Sequence, residues 1–239
     1  VPAPKPFAHE LSLLSEFCHE NIVALSGFVE DMANGIAWLV IPWEANGNVR
    51  EFIASRKWEV PERIYDITRG IQYLHCLKSP ICHGDLKSLN ILVNSKNRAI
   101  ITDFGSARVM SEFKPAVRGP GGGPAWSLRW AAPELLGGAD PSLASDIWAS
   151  GWIFWEIMTG KFPFSDINKD AIIVLSVLQG DLPRVIDNTH VSPMKDLCSL
   201  ILECWQPVPE NRPSADACQG RVGWMVRVLC HAWLAITDC

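Results

Sequence analysis

The sequence predicts an α+β fold, with a little β followed by much α. Two observations predict it. Short apolar runs bounded by turn residues are confined to the stretch before Asp103, whereas everything beyond Pro133 carries helical periodicity. No internal repeat or interdomain linker interrupts the 239 residues, a length sufficient for one large domain or two modest ones with a well-buried core.

The elements follow in order. Between Phe7 and Phe17, the residues Phe7, Leu11, Leu14 and Phe17 share one helical stripe. Ala24 to Glu30 and Ile36 to Pro42 read as two strands around the turn Asp31-Met32-Ala33-Asn34-Gly35. Asn46-Gly47-Asn48 breaks the chain before a short helix from Val49 to Ala54. A longer helix runs from Pro61, a residue suited to a first turn, to Leu77. Ile91 to Val93 and Ala99 to Thr102 are short apolar strands around the turn Asn94-Ser95-Lys96-Asn97-Arg98. The span Gly105 to Ala131 reads as irregular, because the run Gly119-Pro120-Gly121-Gly122-Gly123-Pro124 cannot form regular structure. Helices follow over Ser145 to Thr159, Ala171 to Gln179 and Met194 to Trp205.

Composition narrows the function classes. Hydrophobic residues at 48% and charged residues at 20% are ordinary for a globular chain. A net charge of -5 offers no basic footprint, so nucleic acid is not an expected partner, and a basic peptide is mildly favoured. Eight cysteines form no CxxC pair, which points to buried free thiols in a reducing, cytoplasmic compartment. The start, Val1 to His9, holds prolines and no apolar core of a secretory leader; lacking an initial methionine, the chain reads as a fragment. Val222 to Thr237 is interrupted by Arg227 and His231 and is shorter than the roughly 20 residues of a membrane span. A packed terminal helix is expected there.

Chemistry concentrates in His83-Gly84-Asp85-Leu86-Lys87-Ser88-Leu89-Asn90 and Asp103-Phe104-Gly105. Asn90 precedes the first strand of a hairpin and Asp103 follows the second, so antiparallel pairing brings them together at its open end. An amide oxygen and a carboxylate there suit Mg²⁺. Asp85 and Lys87 lie on the loop entering that point. Asp85 can accept a hydroxyl proton, and Lys87 can neutralise charge on a transferred phosphoryl group. Together these are the parts for phosphoryl transfer.

These segments resemble the catalytic loop and metal-binding loop of eukaryotic-type protein kinases. The resemblance extends from about residue 7 to 220. Ala132-Pro133-Glu134 looks like the end of the activation segment, and Asp146 in Asp146-Ile147-Trp148 like the aspartate that braces the catalytic loop. Arg212 matches the arginine that pairs with Glu134, and Glu10, upstream of His19-Glu20-Asn21-Ile22-Val23, matches the regulatory-helix glutamate. The resemblance implies a bilobal fold: residues 1–43 as a truncated small lobe of a helix plus two strands, 44–220 as a complete, mainly helical large lobe, and 221–239 as a C-terminal helix or tail. It also implies that the Pro42 carbonyl and the Glu44 backbone meet the adenine of ATP, with Leu92 beneath it. Asn90 and Asp103 would hold Mg²⁺, and His83 would have a structural role.

The chain departs from the pattern at two places. Nothing before Glu10 supplies a GxGxxG loop or a strand lysine, and Lys5 is rejected for that role. As written, the chain is expected to bind ATP poorly or not at all. Gly84 stands where many kinases have an arginine that receives an activation-loop phosphate, so activity should not depend on that contact. Ser106, Ser111 and Ser127 are the hydroxyl residues of the irregular span, and Ser127 fits a position contacting the catalytic Asp and Lys.

Lys87 is the serine/threonine-type residue, and the HGDLK and WAAPELL segments resemble the tyrosine-kinase-like group as found in fungi. The resemblance therefore implies ATP- and Mg²⁺-dependent phosphorylation of Ser or Thr on protein substrates. The alternative is a catalytically silent binding module built on the large lobe. Sequence names neither the substrate nor the oligomeric state.

Overall fold

A computed structural model describes residues 5–31, 34, 36–55, 60–111, 126–183 and 192–237. Helix α1 (Lys5–Glu16) leads into β1 (Gly27–Asp31) and β2 (Ile36–Val40), then α2 (Val49–Ser55) and α3 (Val60–His75). Four short strands follow: β3 (Ile81–Cys82), β4 (Ile91–Val93), β5 (Ala99–Ile101) and β6 (Arg108–Val109). The remainder is helical: α4 (Pro133–Leu136), α5 (Leu143–Thr159), α6 (Asp170–Gln179), α7 (Ser192–Cys204) and α8 (Ala215–Thr237). The α+β class and the order of elements agree with the sequence reading.

Helix α5 is the axis of the molecule. Ser142 caps it reciprocally with Ser145: the Ser142 hydroxyl accepts the Ser145 N–H, and Ser145 Oγ accepts the Ser142 N–H. Gly160 ends it at φ +70°, a left-handed C-cap donating to Glu156 O at 2.8 Å. Between these caps every residue from Ser145 to Ile157 is buried. A helix that is hydrophobic nearly all round has to be enclosed on all sides. Trp152 meets Trp205 of the α7 terminus at 4.5 Å between ring centroids and Phe164 at 4.9 Å. Gly151 permits that approach, since a Cβ there would lie 2.8 Å from Trp205 Nε1.

The strands form three separate antiparallel pairs, β1–β2, β3–β6 and β4–β5. In the β4–β5 hairpin, Ile91 pairs with Ile101 and Val93 with Ala99. Asn94 organises its turn by accepting the Lys96 and Arg98 N–H groups through Oδ1, each at 2.9 Å. Buried Asp66 of α3 fixes one strand, accepting from the Ala99 N–H and from Arg98. In the β1–β2 hairpin the register runs from Gly27 opposite Val40 to Asp31 opposite Ile36. Phe28, Val29, Ile36, Trp38 and Val40 are all exposed; Leu39 packs against the core and Phe28 meets Phe7 edge-on at 6.5 Å on one face, whereas the face of Val29, Trp38 and Val40 is open.

Three differences from the sequence reading are physical. The β3–β6 pair falls in unassigned or irregular sequence, because two-residue strands are too short to show a period of two. Helix α8 begins at Ala215 rather than Val222, since Ser214 accepts the Ala217 N–H and caps it earlier; it runs unbroken across residue 220. Cys82, Cys198, Cys204 and Cys218 are buried free thiols as expected, but Cys18 and Cys76 are exposed. The glycine–proline run 119–124 and part of the 31–35 turn lie outside the described residues. Among the described residues no helix is long and apolar enough to cross a membrane.

Candidate active site

The segment from His83 to Asn90 connects β3 to β4, and its conformation is dictated from α5. Asp146, buried in the first turn of that helix, accepts the His83 N–H through Oδ2 at 2.7 Å and the Gly84 N–H through Oδ1 at 3.0 Å. His75 Nε2 lies 3.0 Å from the same Oδ2. Gly84 meets a steric demand: its φ is +79°, and a Cβ would come within 2.7 Å of Ser106 O. His83 is fully buried; its Nε2 lies 3.0 Å from Thr102 O, and its ring packs 5.0 Å from Phe104. That is the structural role expected of it.

Asp85 is held on both oxygens. Lys87 Nζ donates to Oδ2 at 2.6 Å and the Ser127 N–H to Oδ1 at 2.7 Å. Lys87 Nζ also donates to Ser127 Oγ at 2.9 Å, so loop, lysine and activation segment meet at one carboxylate. Asn90 Nδ2 donates to the Asp85 carbonyl at 3.0 Å, which leaves its Oδ1 available to a cation. The Thr102 N–H donates to Asn90 O at 3.0 Å, closing the end of the hairpin beside Asp103 as antiparallel pairing requires. Asp103 is exposed and sits at φ 65°, a left-handed conformation rare for a residue with a side chain. An exposed carboxylate and a free amide oxygen at one hairpin end form a hard-oxygen pair that fits Mg²⁺.

Glu10 projects from α1 into the same region. It accepts the Phe104 N–H at 3.1 Å, and the neighbouring His9 Nε2 lies 2.8 Å from Ala107 O. Burial, reinforced by the Asp103 charge, pushes the Glu10 carboxyl above its ordinary value; the Phe104 N–H and His9 pull it back. Helix α1 is thus clamped onto the Asp103–Ala107 segment from both sides of Phe104.

The segment that family resemblance assigns to adenine is more open. Pro42 is exposed and Glu44 half-buried, and Trp43 between them is 90% exposed. The Glu44 carbonyl accepts the Gly47 N–H at 3.1 Å. Gly47 O accepts the Val93 N–H at 2.9 Å and Asn48 bridges Leu92, so the segment is tied directly to the strand carrying Leu92. The structure therefore draws together Asp85, Lys87 and Asn90, sets Asp103 one residue beyond the Thr102–Asn90 backbone bond, and ties the turn after Glu44 to Leu92 and Val93, with Pro42 exposed.

Below the catalytic loop, Arg212 and Glu134 form a two-bond ion pair with both contacts at 2.7 Å. Arg212 also donates to Ala144 O and Gln206 O and lies over the Trp148 ring. One group escapes the sequence reading. Glu156, fully buried in α5, accepts from Ser88 Oγ at 2.7 Å and from Trp130 Nε1 at 2.8 Å. Burial pushes its carboxyl up to about 7, against the pull of those two donors and Arg50. A single acid inside the apolar run Trp152 to Met158 is the available signal.

Comparison with known proteins agrees with this geometry. The family described as protein tyrosine and serine/threonine kinase matches residues 3–222. Human mitogen-activated protein kinase kinase kinase 13 is 30% identical over 209 residues, 86% of this chain and 20% of that protein. An Acanthamoeba polyphaga mimivirus protein named as a serine/threonine-protein kinase/receptor is 30% identical over 213 residues, 88% of this chain and 12% of its own length. A Dictyostelium discoideum protein named as a serine/threonine-protein kinase is 32% identical over 213 residues, covering 22% of its length. The chain thus spans about a fifth or less of these relatives. With the family match covering nearly its whole length, and the braces from Asp146 and Arg212 where such a domain requires them, this chain belongs to the protein tyrosine and serine/threonine kinase family.

Proposed function

We propose that this region catalyses transfer of the ATP γ-phosphoryl group to serine or threonine hydroxyls of protein substrates. The observation that carries the reading is the two-sided grip on Asp85 by Lys87 and Ser127. Fixed on both oxygens, Asp85 orients the acceptor hydroxyl and takes its proton as the oxygen bonds to the γ-phosphorus and ADP departs. Lys87 stabilises the charge on the transferring phosphoryl, and its presence two residues after Asp85 favours Ser/Thr acceptors. Asn90 and Asp103 would hold Mg²⁺, which when bound supplies neutralisation of phosphate charge. The Pro42 carbonyl and the Glu44 N–H would meet adenine over Leu92; the Glu44 carbonyl already carries the Gly47 N–H. The names of the relatives support the same class. Six free cysteines among the described residues favour a reducing, intracellular setting. Residues 1–43 would serve as small-lobe parts, 44–220 as the large lobe and 221–239 as the end of α8 and tail.

A second reading, a catalytically silent binding module, is favoured by one observation. Glu10 is spent on the Phe104 N–H beside a like charge. Calorimetry of Mg·ATP against this chain, with Asp103→Ala as control, tests the first reading in this chain. We expect binding weak enough to need roughly millimolar nucleotide, and its loss in Asp103→Ala. A folded chain that takes up no nucleotide at that concentration would reject activity for this chain, as fits either a truncated enzyme or a silent module.

A further inference from the structure

The β1–β2 hairpin carries a surface that the proposed chemistry leaves unused. Its register puts Val29 opposite Trp38, with Ile36 and Val40 two residues to either side of Trp38. Side chains two apart on a strand share a face, so these residues form a single apolar face. Each of them is between 43% and 50% exposed. On the opposite face Leu39 packs against the core and Phe28 meets Phe7, so the first face is the open one among the described residues.

Size and charge say what fits this face. Val29, Ile36, Trp38 and Val40 present roughly 400 Å² of accessible surface, the scale at which a contiguous apolar patch marks an interaction site. Trp43, 90% exposed three residues beyond the end of β2, adds roughly 200 Å². Two such surfaces brought together would bury roughly 1,200 Å² in total, the lower edge of a specific interface. No charged side chain lies among the four residues. Asp31, at the end of the face, is turned back into its own turn, accepting the Asn34 N–H at 3.1 Å and the Asn34 side-chain amide at 2.7 Å. A partner therefore needs no compensating cation, and a second copy of the same face brings none. An anionic bilayer fits less well, because the neighbouring Glu30, Asp31 and Glu44 would repel it.

We propose that this chain associates with a second copy of itself, face to face, through Val29, Ile36, Trp38 and Val40, with Trp43 at the margin of the contact. A two-fold axis near Trp38, the central residue of β2, keeps every contact apolar against apolar. The two hairpins then become the layers of a small sandwich, each covering the side the other leaves open. An interface of this size is reversible, and half-association is expected at roughly 10 µM chain. Well below that concentration the chain is a monomer, and the face carries no weight in its unfolding.

Sedimentation velocity on the chain from roughly 1 to 200 µM tests this without nucleotide or acceptor, so its failure would leave the proposed activity untouched. The parent should pass from monomer to dimer across that range. Trp38→Lys puts a charge at the centre of the contact and should weaken association at least roughly tenfold. Leu175→Lys, on an equally exposed apolar position of α6, should leave it unchanged. Should Trp38→Lys fail to fold, the double variant Val29→Thr, Val40→Thr carries the same expectation. A parent that stays monomeric throughout overturns the proposal, as does association that survives these face variants or that Leu175→Lys abolishes equally. Growth beyond a dimer without limit would mean open-ended strand pairing and overturn it too. So would a monomer that cosediments with phosphatidylcholine–phosphatidylserine vesicles through Trp38, since the face would then belong to a bilayer.

Discussion

The two ends of the active cleft are built by opposite means. At the phosphoryl end, each group is held by a buried side chain: Asp146 and Glu156 of α5 hold the backbone entering Asp85 and the Ser88 and Trp130 donors, and Arg212, in the loop before α8, holds Glu134. At the end proposed to hold the nucleotide, the β1–β2 hairpin leaves Val29, Trp38 and Val40 exposed on one face, and Trp43 stands almost wholly in solvent. An isolated two-stranded hairpin is marginal by itself, whereas a buried helix with satisfied polar groups is over-determined. Geometry for group transfer is therefore set independently of geometry for nucleotide binding, and the two should respond differently to mutation.

The largest expected effect tests the over-determined end. Asp146→Ala leaves the His83 and Gly84 N–H groups buried and unpaired, and should cost about 3–5 kcal/mol in urea unfolding. A loss below about 1 kcal/mol would mean that the catalytic loop does not take its conformation from α5.

The next effect is a pH dependence. The Glu156 carboxyl is raised from 4.5 to about 7, so the stability tied to its protonated form is present below about 4.5 and lost as pH rises through about 7. This contributes a decline of up to about 3 kcal/mol across that window, because each tenfold change in proton affinity between the folded and unfolded chain is worth about 1.4 kcal/mol. Glu156→Gln should flatten this part of the profile, measured as unfolding free energy at intervals from the acid to the alkaline side of that window. Identical slopes in the two proteins would rule out the buried charge as their source.

Smaller still is the effect at Glu10, where the two ends meet. Its carboxyl is also raised, so its contribution is likewise lost with rising pH; partial exposure limits the size to roughly 0.5 kcal/mol. Glu10→Gln keeps an acceptor for the Phe104 N–H and removes the repulsion from Asp103. It should be neutral or slightly stabilising near neutral pH, and a clear destabilisation would show that an unrecognised cation depends on it. The smallest effect belongs to the hairpin: Trp38→Thr, on an exposed strand position, should change stability by no more than about 0.5 kcal/mol. A larger loss would show that the hairpin is not the unsupported region described above.

Legibility in the sequence follows the same division. The β4–β5 hairpin is readable residue by residue, because Asn94 and Asn97 mark its turn and Ile91 to Val93 and Ala99 to Ile101 are uniformly apolar. From that hairpin alone the pairing of Asn90 with Thr102, next to Asp103, follows. Asp85, Lys87 and Ser127 are legible through family resemblance rather than through periodicity, since loop residues carry no repeating pattern. Glu156 escapes because its partners lie 68 and 26 positions away, and separations of that kind leave no local trace. The two-residue β3–β6 pair escapes for a different reason: strands that short show no period of two. The open β1–β2 face is likewise invisible, because an apolar strand reads the same whether or not anything covers it.

Asp146 and Glu156 lie ten positions apart on α5, which places them about 15 Å apart along a single straight element. Since both substrate-facing segments take their bearings from that one rod, the chain carries its own jig for group transfer. A protein engineer could exchange the β1–β2 hairpin without resetting Asp85 against Lys87, provided the rod and its two acids are kept.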